Sequence, residues 1–325
     1  MKNLNYIKEP IKKELTTFNN YFKNTLKSDS FLLTLITKYI VKTKGKQMRP
    51  MLVFLSSKLI GNEVKESSYI AATLIELMHT ATLIHDDVVD EASYRRGFLT
   101  LHKIWGNNLT VLIGDYLLAK GLIEAVKTSE YSLLQIVSEA VKEMSEGELL
   151  QIEKAKRLNT TEEDYYKIIK QKTASLIASC TKSGTVAVTQ KEEDVNNMYN
   201  FGLNLGIAFQ IKDDLLDFDI NSKAGKTYGN DIKERKMTLP LIYTLQKTNK
   251  KDKKSIMTIL RKKNKTTQDI NNVIYIVKQY DGITYAEEQM EIYKNKALSY
   301  LAPYKQHEIY PYLEAFTDFV TKRKK

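Results

Sequence analysis

The sequence predicts an all-α fold, and three observations carry the prediction. Glycine and proline are sparse, 13 and 5 of 325 residues, and no proline falls between Pro50 and Pro240, so the centre of the chain lacks the residues that punctuate sheets and turns. Apolar residues recur at helical spacing over long stretches. No low-complexity linker divides the chain, and 42% apolar content is enough for a substantial core. The expectation is one domain over 1–325, a bundle of roughly a dozen helices.

Residues 31–43 show helical spacing before GKQMRP, whose Gly45 and Pro50 mark a loop with a helix starting near Pro50. SSYIAATLIELMHTATLIHDDVVDEA follows, with Ser67 or Ser68 as cap, and runs without a breaker into an acidic cluster. After YRRG come apolar helical patterns over 109–126, 130–156 and 162–188. NNMYNFGLNLGIAFQIKDDLLDF is a second apolar helix ending in carboxylates, and NSKAGKTYGND after it reads as a loop. From TLPLIYTLQ to the C-terminus the helical period returns, with a Lys-rich stretch around 247–266.

Charges scattered through MKNLNYIKEPIKKEL argue against a signal peptide. The best apolar run, FLLTLITKYIV, is interrupted by Lys38 and falls short of the roughly 20 residues needed to cross a bilayer. The expected location is cytoplasmic. One cysteine, Cys180, excludes an internal disulfide and a multi-cysteine metal site. The formal charge of +11 is spread along the chain as lysine, which solvated helix faces explain, and the basic–aromatic readout elements of a nucleic-acid binder are missing. Only seven of the 50 basic residues are arginine, yet Arg49, Arg95 and Arg96 sit close to the first acidic cluster, and arginine is the better planar partner for phosphate.

The two clusters carry the chemistry. Asp86 and Asp90 are four apart and share a helix face, with Asp87 about a quarter-turn around; Asp213, Asp214 and Asp217 repeat the arrangement. Like charges packed into one turn repel unless a cation relieves them. All-carboxylate ligands imply a hard ion, and Mg²⁺ characteristically takes one or two carboxylates plus phosphates and water. A lone acidic turn in a chain with 27% charged residues is more often a solvated helix end. Two copies, each closing an apolar helix, point to a diphosphate bridged between them.

GKQMRP, HTATLIHDDVVDEASYRRG, WGNNLTVLIGDYLLA, QKTASL, GIAFQIKDDLLDF and KTYGNDIKERKMTLPLI, in this order over roughly residues 40–245, resemble the trans-isoprenyl diphosphate synthases, or polyprenyl synthetases, of long-chain type. The resemblance implies helices around a central apolar cavity, a homodimer, and condensation of isopentenyl diphosphate with an allylic diphosphate. It implies Mg²⁺ at Asp86, Asp87, Asp90, Asp213, Asp214 and Asp217. Arg95, Lys172 and Lys226 match the residues that clamp the allylic diphosphate, and Lys236 matches a lysine at the mouth. Lys46, Arg49, His79 and Arg96 match the metal-free isopentenyl diphosphate pocket. Thr173 and Gln210 match polar positions beside the reacting carbons, and Gln151 is a candidate for the lining. Taken alone, Lys172 and Lys226 would be surface lysines and His79 a satisfied core histidine.

The growing hydrocarbon must run beneath the metals along the helix of the first motif. In the resembled family an aromatic residue four or five positions before that motif stops growth early; here Thr82 and Ala81 stand there. Wheel geometry puts Thr82 and Met78 on the pocket side, Met78 about 12 Å from Asp86, while Ala81 rests on resemblance alone. The floor reads as open, which gives a product longer than C20, in the C30–C40 range, suited to a quinone side chain. Alternatives are a geranylgeranyl or farnesyl diphosphate synthase, a terpene cyclase, which would leave Lys46, Arg49 and Arg96 unexplained, and a non-catalytic subunit of a heteromeric synthase. Arg235 stands where the family commonly has glycine. The basic end TKRKK offers contact to the site or to anionic lipid, a peripheral membrane contact for product transfer, with plain fraying the simpler reading.

Overall fold

The computed structural model describes residues 3–43, 45–220 and 228–323. Helices run in the order α1 (Leu4–Lys8), α2 (Lys12–Thr25), α3 (Phe31–Lys42), α4 (Met48–Gly61) and α5 (Glu66–Val89). A two-stranded antiparallel hairpin, β1 (Tyr94–Arg95) and β2 (Phe98–Leu99), interrupts them. Then follow α6 (Leu101–Trp105), α7 (Asn107–Lys127), α8 (Tyr131–Arg157), α9 (Glu162–Ile169), a π turn at Lys170–Ala174, α10 (Ser175–Val186) and α11 (Glu192–Asp217). The last are α12 (Asn230–Lys233), α13 (Leu239–Lys247), α14 (Lys250–Arg261), α15 (Thr267–Gln279), α16 (Gly282–Leu301) and α17 (Tyr310–Thr321). The fold is all-α, as the sparse glycine and proline predict. Its helices exceed the expected dozen because short ones, such as α1, α6 and α12, span too few turns to show a period. No described helix is long and apolar enough to cross a membrane.

Local chemistry sets the long helices. The expected Ser67 or Ser68 cap lies inside α5: Lys65 is the N-cap, and its backbone N–H donates to the buried Ser68 Oγ at 3.3 Å. The pattern over 162–188 is broken by the π turn at Lys170–Ala174, which an apolar period does not reveal.

Two apolar cores share α11. Met198, Phe201 and Leu205 belong to a core with α4, α5, α7, α8, α10 and α17; Ile207, Ile211 and Leu215 belong to a second with α9 and α13 to α16. Phe54, Phe201 and Phe316 are almost fully buried in the first, and truncating such a side chain costs about 3–5 kcal/mol. The acidic end of α11 is therefore anchored from both sides. Two glycines then hold the π turn. A Cβ at Gly147 on α8 would meet the Lys172 backbone N at 2.7 Å, and one at Gly206 on α11 would meet Ala174 Cα at 2.5 Å. Only glycine lets both helices approach the turn that carries Lys172 and Thr173.

Candidate active site

The ends of α5 and α11 face one cavity of about 380 Å³. Asp86 and Asp90 enter it from α5, Asp213 and Asp214 from α11, Lys172 and Thr173 from the π turn, and Gln210, Arg95 and Lys236 complete its polar wall. Leu83, Ile168, Ile169 and Met237 are its apolar members. Gln151 lines it too, as anticipated.

Hydrogen bonds order this wall. Thr173 Oγ1 donates to Gln210 Oε1 at 2.8 Å, Gln210 Nε2 donates to Asp214 Oδ1 at 2.8 Å, and Tyr165 OH donates to Asp214 Oδ2 at 2.7 Å. Asp214 thus fixes the amide that fixes the threonine. Asp217 points elsewhere: its carboxylate accepts the backbone N–H groups of Asn230 at 3.1 Å and Asp231 at 2.9 Å, and its carbonyl accepts that of Gly229 at 2.9 Å. Lys172 pairs with Glu148, and Lys236 with Glu234 at 2.5 Å.

Burial, and like charge after it, raises three carboxyls of this wall. Burial, with Glu148 second, pushes the Asp86 carboxyl up to about 6, against the pull of Lys172 and Arg95. Burial and the neighbouring Asp217 push Asp231 up to about 7. Asp214 is raised well above the carboxylate range by burial and by Asp231. Hard oxygen donors in need of positive charge fit a divalent hard cation. Among the described residues no three such groups converge on one point. The donor set therefore fits ions that take part of their coordination from a bound phosphate rather than a ready-made cage.

A second cavity, about 90 Å³, lies against the other side of α5 and is lined by His79, Asp87, Arg95, Arg96 and Gln47. Arg95 Nε donates to Asp87 Oδ1 at 2.7 Å. His79 is 8% exposed and its Nδ1 is buried with no hydrogen-bond partner, as is Arg49 Nε. Burial, reinforced by Arg49, Arg96 and Arg95, holds the His79 imidazole well below its usual range and so neutral. Arg96 has φ 53° and is followed by Gly97 at φ 82°, the positive pair that a tight hairpin turn demands. An arginine in that position carries strain that glycine avoids. Buried orphan donors beside arginines suit an anion.

Most sequence-predicted residues converge, and several do not. Lys46 and Arg49 are outside both linings, Lys46 with its ammonium 5.4 Å from the Phe319 ring centroid, and Lys226 is outside the described residues. Asp87 and Asp217 face away from the large cavity. Met78, Ala81 and Thr82 line neither cavity. Ala81 and Met78 are buried, Thr82 Oγ1 donates to the His79 carbonyl at 2.9 Å, and the Met78 methyl packs against Gly121 of α7. On α5 the cavity lining stops at Leu83, so the open floor expected at Thr82 and Ala81 is part of neither cavity. Of the basic end, Arg323 is docked: it donates to Asp213 Oδ1 at 2.6 Å, with its guanidinium 4.2 Å from the Phe209 ring centroid. Arg235 has φ 63°, a left-handed conformation that glycine adopts without strain, and its Nη2 donates to the Arg261 carbonyl.

Asp231, Tyr165 and Leu83 are among the lining residues that the sequence reading missed. Asp231 lies within KTYGNDIKERKMTLPLI, but its isolation from the paired aspartates hid it. Tyr165 belongs to an ordinary amphipathic pattern, and Leu83 to an apolar stripe.

The fold and the two facing carboxylate clusters define a diphosphate-handling helical enzyme. The polyprenyl synthetase family model matches residues 31–277, and the chain belongs to that family. It is a trans-prenyl diphosphate synthase, a prenyltransferase. It is similar to octaprenyl diphosphate synthase of Escherichia coli, at 35% identity over 81% of each chain. Similarity to geranylgeranyl diphosphate synthase of Saccharolobus solfataricus is 34% over 87% of each. Among solved structures, a polyprenyl synthase from Caulobacter crescentus, complexed with calcium and isoprenyl diphosphate, superposes with TM-score 0.91 at 28% identity, covering 99% of this chain and 98% of that one.

Proposed function

We propose that the enzyme condenses isopentenyl diphosphate with an allylic diphosphate, using Mg²⁺, to make an all-trans product longer than C20, in the C30–C40 range, for a quinone side chain. The observation that carries this reading is one cavity faced by both carboxylate clusters, beside a second cavity lined by Arg95, Arg96 and His79, whose buried Nδ1 has no partner. Bound Mg²⁺ would supply positive charge against the departing diphosphate. Asp86, Asp90 and Asp213 would hold it, with Asp87, Asp214 and Asp217 as support.

The chain's own residues do the rest. Lys172 and Arg95, with Lys226 from outside the described residues, bind the allylic diphosphate, and Lys236 stands at the mouth. Lys172 must exchange Glu148 for phosphate. His79, Arg49 and Arg96, joined by Lys46, bind isopentenyl diphosphate. The oxygens of Thr173 and Gln210, fixed through Asp214, face the carbon that becomes cationic, where fixed dipoles outperform water. Long product rests on Thr82, Ala81 and the flexible Met78, and on likeness to an octaprenyl synthase. Likeness to a geranylgeranyl synthase supports the shorter alternative.

A homodimer is part of this reading. α7 exposes Leu112 (63%), Ile123 (49%) and Val126 (53%) along one face, an apolar stripe that a second copy would cover. Leu112→Glu with Val126→Glu should give a monomer by sedimentation. The function is tested by incubating the purified protein with Mg²⁺, isopentenyl diphosphate and geranyl, farnesyl or geranylgeranyl diphosphate. Mass spectrometry should show products beyond C20; a ladder ending at C20 or below contradicts the length, and no elongation from any primer contradicts catalysis by this chain alone.

A further inference from the structure

Among the described residues, two line both cavities, Arg95 and Leu83. Arg95 is tied to Asp87, so it separates the cavities at the level of the carboxylates. Leu83 lies three residues before Asp86, which faces the large cavity, and four before Asp87, which faces the small one. One turn of α5 therefore sets it about 5 Å along the axis from the aspartates, where the hydrocarbon of a molecule held by its diphosphate begins. The wall between the cavities is polar at one level and apolar at the next.

We propose that Leu83 is a positioning residue for the condensation, the apolar partition across which the two reacting carbons meet. This rests on the assignment of the two cavities to two diphosphate substrates made above. In the step concerned, the allylic C–O bond breaks and its electron pair leaves with the diphosphate. The π electrons of the isopentenyl double bond form the new C–C bond, and a proton passes from the adjacent carbon to a diphosphate oxygen. Water is the competing nucleophile, and its attack on the same cation gives an allylic alcohol and a proton.

A side chain touching both cavities controls which of these happens. The leucine methyls offer no lone pair to the cation, fill the space a water would take, and hold the two chains in van der Waals contact. Thr173 and Gln210 stand on the large-cavity side alone, and His79 and Arg96 on the small-cavity side alone. The diphosphate contacts do not pass through Leu83. Its loss should therefore leave binding intact and spoil the encounter.

The test compares Leu83→Ala and Leu83→Met with the parent enzyme, using farnesyl diphosphate, isopentenyl diphosphate and Mg²⁺, and measures kcat, both KM values and the ratio of farnesol to elongated product. Leu83→Ala should lower kcat for condensation by about 10- to 100-fold, the order of loss that small misplacements of reacting groups produce. Both KM values should stay within about threefold, and the farnesol fraction should rise several-fold. Leu83→Met, apolar and of similar volume, should restore the ratio. A thermal melt of each variant checks folding, and Leu83→Val replaces the alanine variant if it does not fold. An unchanged farnesol ratio, or a raised KM at unchanged kcat, overturns the proposal while leaving the function standing. Failure of the parent enzyme to elongate any primer overturns the function itself.

Discussion

The ends of α5 and α11 carry the same spacing of aspartates and hold them differently. On α5, Asp90 is exposed and Asp86 faces the cavity, while only Asp87 is committed, to Arg95. On α11, Asp214 fixes Gln210 and accepts from Tyr165, Asp217 fixes the backbone of Asn230 and Asp231, and Asp213 is covered by Arg323. Motifs of one spacing therefore divide the labour. The first leaves Asp86 and Asp90 uncommitted, and the second builds the wall and the segment opposite it.

The largest effect expected from this difference is on activity at the first motif. Asp86→Asn should lower kcat/KM by about 10²–10³, the range for removing one group that stabilises developing charge. Its thermal stability should not fall, because the carboxyl it replaces is already disfavoured as an anion. Asp217→Ala should show the opposite signature, a stability loss of about 2–4 kcal/mol in denaturant melts, since two backbone N–H groups lose their acceptor. Equal stability losses in the two variants would erase the distinction.

The pH dependence follows from the same carboxylates. Asp231, at about 7, and Asp86, at about 6, lie above their usual value, so the folded metal-free protein binds more protons than the unfolded chain between about pH 4 and 7. Their contribution is present at low pH and is lost as pH rises through 6 to 7. His79, buried neutral, works the other way below about pH 6.5. Melting of the metal-free protein should therefore shift up as pH falls from 8 toward 6.5, and Asp231→Asn should flatten that rise. The smallest effect concerns Arg323. Arg323→Gln should tighten Mn²⁺ binding, read by paramagnetic titration, by no more than about fivefold, the scale of a partly exposed ion pair.

Much of this was legible in the sequence, for physical reasons that also mark where legibility stops. The run of apolar residues ending in DDVVD and DDLLD gave the helices and the clusters, because a helix places i and i+4 together regardless of context. The π turn, the Asp217 bonds to the 230–231 backbone and the docking of Arg323 depend on how distant segments meet, and no local period encodes them. Lys46 shows the same limit, since its neighbour Phe319 is more than 270 residues away in sequence. The small side chains of Thr82 and Ala81 could be read directly, while the packing of Met78 against Gly121 became visible only with α7 in place.

The central claim, that the two acidic ends act as unequal halves of one metal-dependent diphosphate clamp, is tested most directly by titrating an unreactive allylic thiodiphosphate into the enzyme by calorimetry. The titration is run with and without Mg²⁺, on the parent protein and on Asp86→Asn and Asp213→Asn. Tight binding only with Mg²⁺, weakened by either substitution, is the predicted result. Binding that ignores Mg²⁺, or that survives the loss of one cluster unchanged, would contradict the account.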